Sequence, residues 1–213
     1  MVKIDNEIKE FKDEILIMSH QVRKMFVLAM DVLDTGRKEE ALRIVELDEY
    51  VNNANESIND KAIEILSLLA PVATDLRVIL AGLKIATDLE RIGDYAKTIA
   101  RFVVKNDELD ERLQPYVNPI AKTFIEFFDE TMQAYADRDV KKALELPGRD
   151  DEIDTAFKKL LAFIEKLTNE GQQIAYLVPT IGMLRNFERA GDHTKNICEA
   201  IIYEVKGQHY DFG

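Results

Sequence analysis

The sequence predicts an all-α protein of two tandem three-helix bundles, six helices in total, that arose by internal duplication. Apolar residues recur at spacings of three and four along most of the chain, and the period-two alternation of strands is absent. The phrase Glu-Arg-x-Gly-Asp occurs twice, in LERIGDYA at 89–96 and in FERAGDHT at 187–194. A repeated helix order and a repeated phrase predict two copies of one unit, with domains at 1–106 and 116–207.

The first helix has the clearest pattern. One apolar stripe runs from Ile4 to Val32, in steps of four and three. We expect Phe11 and Ile15 on this stripe to lie in a bundle core. Gly36 follows, and glycine suits the left-handed conformation of a helix C-terminus.

The second helix is predicted at about 38–69, and the third carries an apolar stripe from Val78 to Val103. Pro71 separates them because proline cannot continue a helix, and Thr74 or Asp75 is expected to cap the third helix. The polar stretch KNDELDERLQPYVNP at 105–119 then predicts a linker or a short turn.

The second half repeats this order. A helix is predicted from about 117 to 137, and another from about 139 that is interrupted at Pro147 and Gly148 and resumes to Leu167. The last helix starts or kinks at Pro179 and ends at Gly207.

Composition narrows the class of protein. Hydrophobic residues make up 46% of the chain and charged residues 32%, which is typical of a globular protein. The formal charge is −12, so the chain is expected to repel nucleic acids and anionic lipids. The longest nearly apolar run, residues 65–73, is too short to span a bilayer, and no signal peptide is visible. With Cys198 as its one cysteine, the chain fits a reducing, intracellular compartment.

The repeated phrase places two carboxylates on one helix face. Glu90 and Asp94 are four residues apart, and Gly93 between them costs a helix roughly 1 kcal/mol relative to alanine. We therefore expect the glycine to leave room for an ion, a neighbouring acid or another helix. The second phrase repeats the arrangement with Glu188, Gly191 and Asp192.

Such carboxylates suit a metal ion. In helical bundles, acids from two helices bind divalent or ferric ions, and oxygen ligands favour Mg, Mn, Fe or Ca. Aligning DEYVN at 48–52 with DDEID at 150–154 adds Asp48, Asp150 and Asp154 as candidate ligands. The alternative is that each phrase forms only a surface ion pair, because Lys97 and Lys195 stand three residues after its aspartate.

Three classes of function are compatible with these sites: a regulatory binding protein, a carboxylate-bridged di-metal enzyme and a metal-free helical adaptor. Di-iron enzymes use Glu-x-x-His pairs, but the residues three positions before the three histidines are Ile17, Ala190 and Lys206. A nucleophile–base set and a glycine-rich phosphate loop are also absent from the sequence, which therefore predicts a protein that is not an enzyme. His193 is expected to point away from the carboxylate face.

With both phrases identified, the chain resembles the PhoU family of phosphate-uptake regulators over nearly its whole length. The resemblance rests on ATDLRVILAGLKIATDLERIGDYAKTIA at 73–100 and RNFERAGDHTKNICEAIIYEVKG at 185–207. It implies a cytoplasmic homodimer that reaches the inner face of the membrane only through protein partners. Those partners would be the phosphate ABC transporter and a phosphate sensor histidine kinase.

The resemblance also implies a set of metal ligands. Some family members bind iron, zinc, magnesium or manganese through Glu/Asp-x-x-x-Asp phrases. Carried over to this chain, the ligands would be Glu90, Asp94, Glu188 and Asp192, with Asp48, Asp150 and Asp154 completing the acidic patch. One departure is that DLR at 75–77 has no counterpart in the second half, so any role of Asp75 and Arg77 is not duplicated.

Overall fold

The helical periodicity is realised along almost the whole chain. The structure, a computed structural model, describes residues 2–106 and 109–213, and these form helices without any strand. The predicted all-α fold of two tandem three-helix bundles is confirmed, with the fifth predicted helix split at Pro147 and Gly148. The helices are α1 Val2–Thr35, α2 Lys38–Leu68, α3 Ala73–Asn106, α4 Gln114–Asp137, α5 Val140–Glu145, α6 Gly148–Asn169 and α7 Leu177–Lys206.

Two helix ends match the sequence prediction and one start does not. Gly36 and Gly207 follow α1 and α7 in the left-handed conformation, each with φ of 67°. The predicted cap of α3 is wrong, because the Leu76 amide already donates to the Val72 carbonyl, which places Thr74 and Asp75 inside the first turn.

The segment predicted as a linker is partly helical and partly buried. α4 begins at Gln114, and Pro115 occupies its first turn, where a missing amide hydrogen breaks no helical bond. Leu109 and Leu113 are buried, and the Leu109 amide donates to the Leu33 carbonyl at 3.3 Å. Residues 107 and 108 of the predicted linker lie outside the described residues.

The cores of the two bundles are continuous. Phe11 and Ile15 are fully buried on α1, as the apolar stripe predicted. Further along α1, the Phe26 ring lies 4.3 Å from the Phe124 ring and 5.7 Å from the Phe187 ring, centroid to centroid. Helix α1 therefore packs against α4 as well as against its own bundle, and its Phe26 side chain also reaches α7.

Helices α3 and α7 form the most extensive contact between elements and run antiparallel. Asp88 lies beside His193, and Arg77 near the start of α3 lies beside Gly207 at the end of α7. Tyr95 and His193 occupy matching positions in the two phrases and face each other across this seam. The repeats are thus related by an approximate two-fold axis, and each phrase lies near the middle of its helix.

Candidate functional site

The first acidic site comprises Asp48 and Asn52 on α2 with Glu90, Asp94 and Lys97 on α3. Asp48 is only 5% exposed, and its Oδ2 accepts a hydrogen bond from Lys97 Nζ at 2.5 Å. The same ammonium donates to Asp94 Oδ1, also at 2.5 Å. Asn52 Nδ2 donates to Asp48 Oδ2 at 3.2 Å, so this oxygen is bonded to one amide and one lysine ammonium.

Electrostatics in the first acidic site reflect burial and crowding of charge. Burial raises the pKa of Glu90, repulsion from Asp94 raises it further, and Arg91 at 3.5 Å opposes the change. Burial lowers the pKa of Lys97, but its hydrogen bonds to Asp48 and Asp94 outweigh this effect and the net change is upward. The lysine therefore stays charged between the two aspartates.

The second acidic site comprises Asp150 and Asp154 on α6 with Glu188, Asp192 and Lys195 on α7. Lys195 Nζ lies 2.9 Å from the buried Asp150 Oδ2 and 3.6 Å from Asp192 Oδ1. Burial raises the pKa of Asp150, Lys195 opposes this, and Asp192 and Asp154 add repulsion. Glu188 is half-buried one turn before Asp192 on α7.

The two glycines of the phrases have different neighbours. A methyl group at Gly191 would overlap Asp150 Oδ1, so this glycine makes room for a neighbouring acid, as predicted. A methyl group at Gly93 would instead lie 3.3 Å from Val51 Cγ1. At Gly93 the room is therefore taken by an aliphatic side chain of another helix, α2, which is a different one of the predicted alternatives.

The lysines are the part of both sites that sequence reasoning undervalued. Their position three residues after each aspartate predicted a surface ion pair, but each lysine also reaches a buried acid on the preceding helix. The available signal was the alignment of Asp48 with Asp150, two acids on faces that pack inward.

The donor chemistry of both sites fits a hard cation, although the present arrangement is closed by lysine. Asp48 Oδ1 and Asp150 Oδ1 are buried and have no hydrogen-bond partner, so each site holds a buried oxygen that is unpaired. Within residues 2–106 and 109–213, no three Asp, Glu, His or Cys side chains are grouped closely enough to hold a metal ion. A metal ion would therefore require the lysine ammonium to move aside.

His193 points into the α3–α7 seam, away from the carboxylate face of its own helix. Its Nδ1 lies 2.8 Å from Asp88 Oδ1, and its Nε2 lies 3.1 Å from the Tyr95 hydroxyl. Burial raises the pKa of Tyr95, and Arg189 and Arg91 oppose that rise. These contacts join the two repeats beside the acidic sites.

Comparison with known proteins gives matches across both halves of the chain. A family model of the PhoU domain matches residues 15–103 and 117–201. The chain is 32% identical over 204 residues to the phosphate-specific transport system accessory protein PhoU homolog of Pseudomonas putida, covering 94% of this chain and 80% of that protein. The homolog from Clostridium acetobutylicum is 28% identical over 210 residues, covering 97% and 96%.

Two solved structures also match almost the whole chain. The phosphate transport system regulatory protein PhoU from Streptococcus pneumoniae has a TM-score of 0.91 and 25% identity, covering 98% of this chain and 100% of that one. PhoU from Pseudomonas aeruginosa has a TM-score of 0.88 and 28% identity, covering 96% and 99%. Among residues 2–106 and 109–213, none of the helices contains an apolar stretch of the length that a lipid bilayer requires.

Proposed function

Because this chain belongs to the PhoU family, we propose that it is a cytoplasmic, non-enzymatic regulator of phosphate uptake. The observation that carries the proposal is the likeness over 98% of the chain to a phosphate transport system regulatory protein. The curated relatives are named accessory proteins, which supports a role exerted by binding rather than by catalysis. The partners in this proposal are the phosphate ABC transporter and a phosphate sensor histidine kinase, and the chain acts as a homodimer.

The charge of the chain supports a route to the membrane through proteins. At −12 the chain is repelled by anionic lipid headgroups, so contact with a membrane transporter requires a protein surface. We expect weak binding to anionic vesicles in the absence of partner and metal. Tight binding under those conditions would contradict this part of the proposal.

Deletion of the gene in its own host tests the regulatory role. We expect phosphate uptake to stay high in phosphate-rich medium and to fall again when the chain is supplied from a plasmid. Labelled phosphate uptake and a phosphate-responsive reporter measure the two outputs. Uptake that responds normally to phosphate without the chain would overturn the proposal.

We also propose that both acidic sites take up a divalent or ferric cation. The unpaired oxygens of Asp48 and Asp150, and the acids beside them, are the groups that would hold it. Such an ion would supply positive charge where carboxylates from two helices crowd together. Lys97 and Lys195 hold that position in the present arrangement, so uptake of the ion and release of the lysine are coupled.

Matched double variants test the metal proposal. A cation that binds only the folded chain adds about 2.7 kcal/mol of stability at roughly 100 times its Kd, so added metal should raise the thermal midpoint. Glu90→Gln/Asp94→Asn and Glu188→Gln/Asp192→Asn should each lose part of that rise and part of the bound metal. Unchanged metal content and an unchanged rise in both variants would place the metal elsewhere.

A further inference from the structure

One exposed face of α3 changes from apolar to acidic along its length. Leu76, Leu80, Leu83, Thr87, Glu90 and Asp94 are spaced by four, three, four, three and four, so they form one stripe on the helix. Leu76 and Leu80 are 38% and 41% exposed. The stripe therefore presents leucines near the α2–α3 turn and carboxylates four to five turns further along.

The facing stripe on α2 also has a polar end and an apolar end. Asp48, Asn52, Asn55, Asn59, Ile63 and Leu66 also step by three and four. The helices are antiparallel, with Asp48 beside Lys97 and Val51 beside Gly93, which places Ile63 and Leu66 at the level of Leu80 and Leu76. Ile63 is 64% exposed and Leu66 is 36% exposed. We name the surface between these stripes the α2–α3 groove.

The duplicated fold does not require apolar residues on the α2 side of this groove. In the alignment that pairs Asp48 with Asp150, Ile63 and Leu66 correspond to Glu165 and Thr168 of the second repeat. Thr87, in the middle of the α3 stripe, corresponds to Arg185. On α3, Leu76, Leu80 and Leu83 correspond to the apolar residues Ile174, Val178 and Ile181, so the difference between the repeats lies on α2. There the second repeat folds with polar residues, and exposed Ile63 and Leu66 in the first repeat therefore point to an interaction surface.

The charges around the α2–α3 groove select its occupant. Asp48, Glu90 and Asp94 outnumber the nearby cations Lys97 and Arg91. Near the apolar end Asp60, Glu64 and Asp75 add negative charge, which outweighs the positive charge of Lys84. A second copy of the chain would bring the same acids face to face, and anionic lipid would be repelled, whereas a cationic segment complements the surface.

The length of the groove suits a helix. From Leu76 to Asp94 the stripe covers about 27 Å at 1.5 Å per residue, which matches a helix of about 18 residues. An amphipathic helix binds such a groove through side chains spaced three and four apart. Leucine-type anchors would lie between Leu66 and Leu76, and lysine or arginine would face Glu90 and Asp94.

We propose that the α2–α3 groove is a docking surface for a cationic amphipathic helix of a partner protein. The proposal rests on the proposed function, because it gives a regulator that acts through partners one specific surface for binding them. Its failure is nevertheless separate, since the gene-deletion test above does not depend on which surface is used.

A designed peptide probes the groove directly. The probe is a fluorescent 18-residue helix with leucines on one half of a face and lysines on the other half, made in both sequence directions. A matched peptide carries glutamate in place of lysine. Binding is followed by fluorescence anisotropy at physiological salt with a chelator present, so metal plays no part. We expect the lysine peptide to bind in at least one direction and the glutamate peptide not to bind.

Matched variants locate the binding site. Leu76→Ser/Leu80→Ser should weaken the lysine peptide about tenfold, whereas Val178→Ser, which changes the residue matching Leu80 in the second repeat, should leave it unchanged. Glu90→Gln/Asp94→Asn should weaken binding more than Glu188→Gln/Asp192→Asn, although both changes remove two charges. Circular dichroism checks that each variant is folded.

Several results would overturn the proposal. No binding of either lysine peptide at about 100 µM would do so, because even a weak specific site should be detected at that concentration. Equal losses in the two repeats would mean non-specific attraction to an acidic protein. A dimer that dissociates on Leu76→Ser/Leu80→Ser, or binding to anionic vesicles that depends on those leucines, would assign the groove to another occupant.

Discussion

The two acidic sites share a buried aspartate, a lysine and a Glu-Arg-x-Gly-Asp phrase, but they hold the lysine differently. Lys97 lies 2.5 Å from both Asp48 and Asp94, whereas Lys195 lies 2.9 Å from Asp150 and 3.6 Å from Asp192. Asp48 also receives an amide hydrogen bond from Asn52, and the matching position beside Asp150 is the acid Asp154.

This difference leaves more unbalanced negative charge in the second acidic site. Its four acids, Asp150, Asp154, Glu188 and Asp192, surround one bridging lysine, and the Asp192 side chain is 56% exposed compared with 30% for Asp94. Duplication has therefore preserved the pairing of buried acid with lysine while the surroundings diverged. We expect substitution of the lysine to destabilise the second site more than the first.

Removing the lysines should give the largest effect. Among the described residues, Lys195 is the only side chain paired with the Asp150 carboxylate, whereas Asp48 keeps its bond to Asn52 when Lys97 is lost. Breaking a buried ion pair by removing one partner costs about 3–5 kcal/mol, and the partial exposure of these sites reduces that cost. We expect about 3 kcal/mol for Lys195→Met and about 2 kcal/mol for Lys97→Met, measured by urea unfolding at pH 7.

A control separates loss of charge from loss of packing. Lys195→Arg and Lys97→Arg keep the positive charge and should recover part of the stability. Equal costs for the two methionine variants would mean that Asn52 does not support Asp48 in the way the structure indicates.

Alanine substitutions of the two glycines should change the stability of the fold in different directions. Alanine is favoured over glycine inside a helix by about 1 kcal/mol. At Gly93 the new methyl group meets Val51 at 3.3 Å, a contact that a small shift relieves, so we expect Gly93→Ala to be neutral or up to about 1 kcal/mol more stable. At Gly191 the methyl group displaces Asp150 from Lys195, and we expect a net loss of about 1–2 kcal/mol.

The double variant Gly191→Ala/Asp150→Asn sharpens this test. If displacement of Asp150 causes the loss, alanine should cost less once the buried charge is absent. A similar loss in both backgrounds would show that the helix at Gly191 is sensitive to a side chain for another reason.

The sequence was sufficient for the fold and for part of the site. The periodic apolar residues predicted that Phe11 and Ile15 are buried, because burial on a helix face follows from local spacing. Gly36 and Gly207 predicted the ends of two helices, because glycine favours the backbone conformation that ends a helix. Which of the predicted alternatives applies at Gly93 could not be decided, since it depends on which residue of α2 lies opposite. Helix register across a bundle is set by packing along the whole interface and has no short signal in sequence.

The bridging lysines had a partial signal. Spacing along one helix placed Lys97 near Asp94 and Lys195 near Asp192, but their bonds to Asp48 and Asp150 arise between helices. The metal ligands, the dimer and the partners stay predictions.

The smallest expected effect concerns Glu90, and it depends on pH. Burial, and then repulsion from Asp94, raise the pKa of Glu90 above its usual value of 4.5. A carboxyl group whose pKa is higher in the folded state than in the unfolded state destabilises the fold when ionised, and this penalty disappears as the pH falls through the folded pKa towards 4.5. Glu90→Gln should therefore stabilise the chain by about 0.5 kcal/mol at pH 7 and by almost nothing near pH 4.

Glu188→Gln removes the same charge from the second phrase and controls for the net charge of the chain. Thermal unfolding across this pH range measures both variants, and a gain for Glu90→Gln that persists at pH 4 would show that ionisation of Glu90 is not its cause.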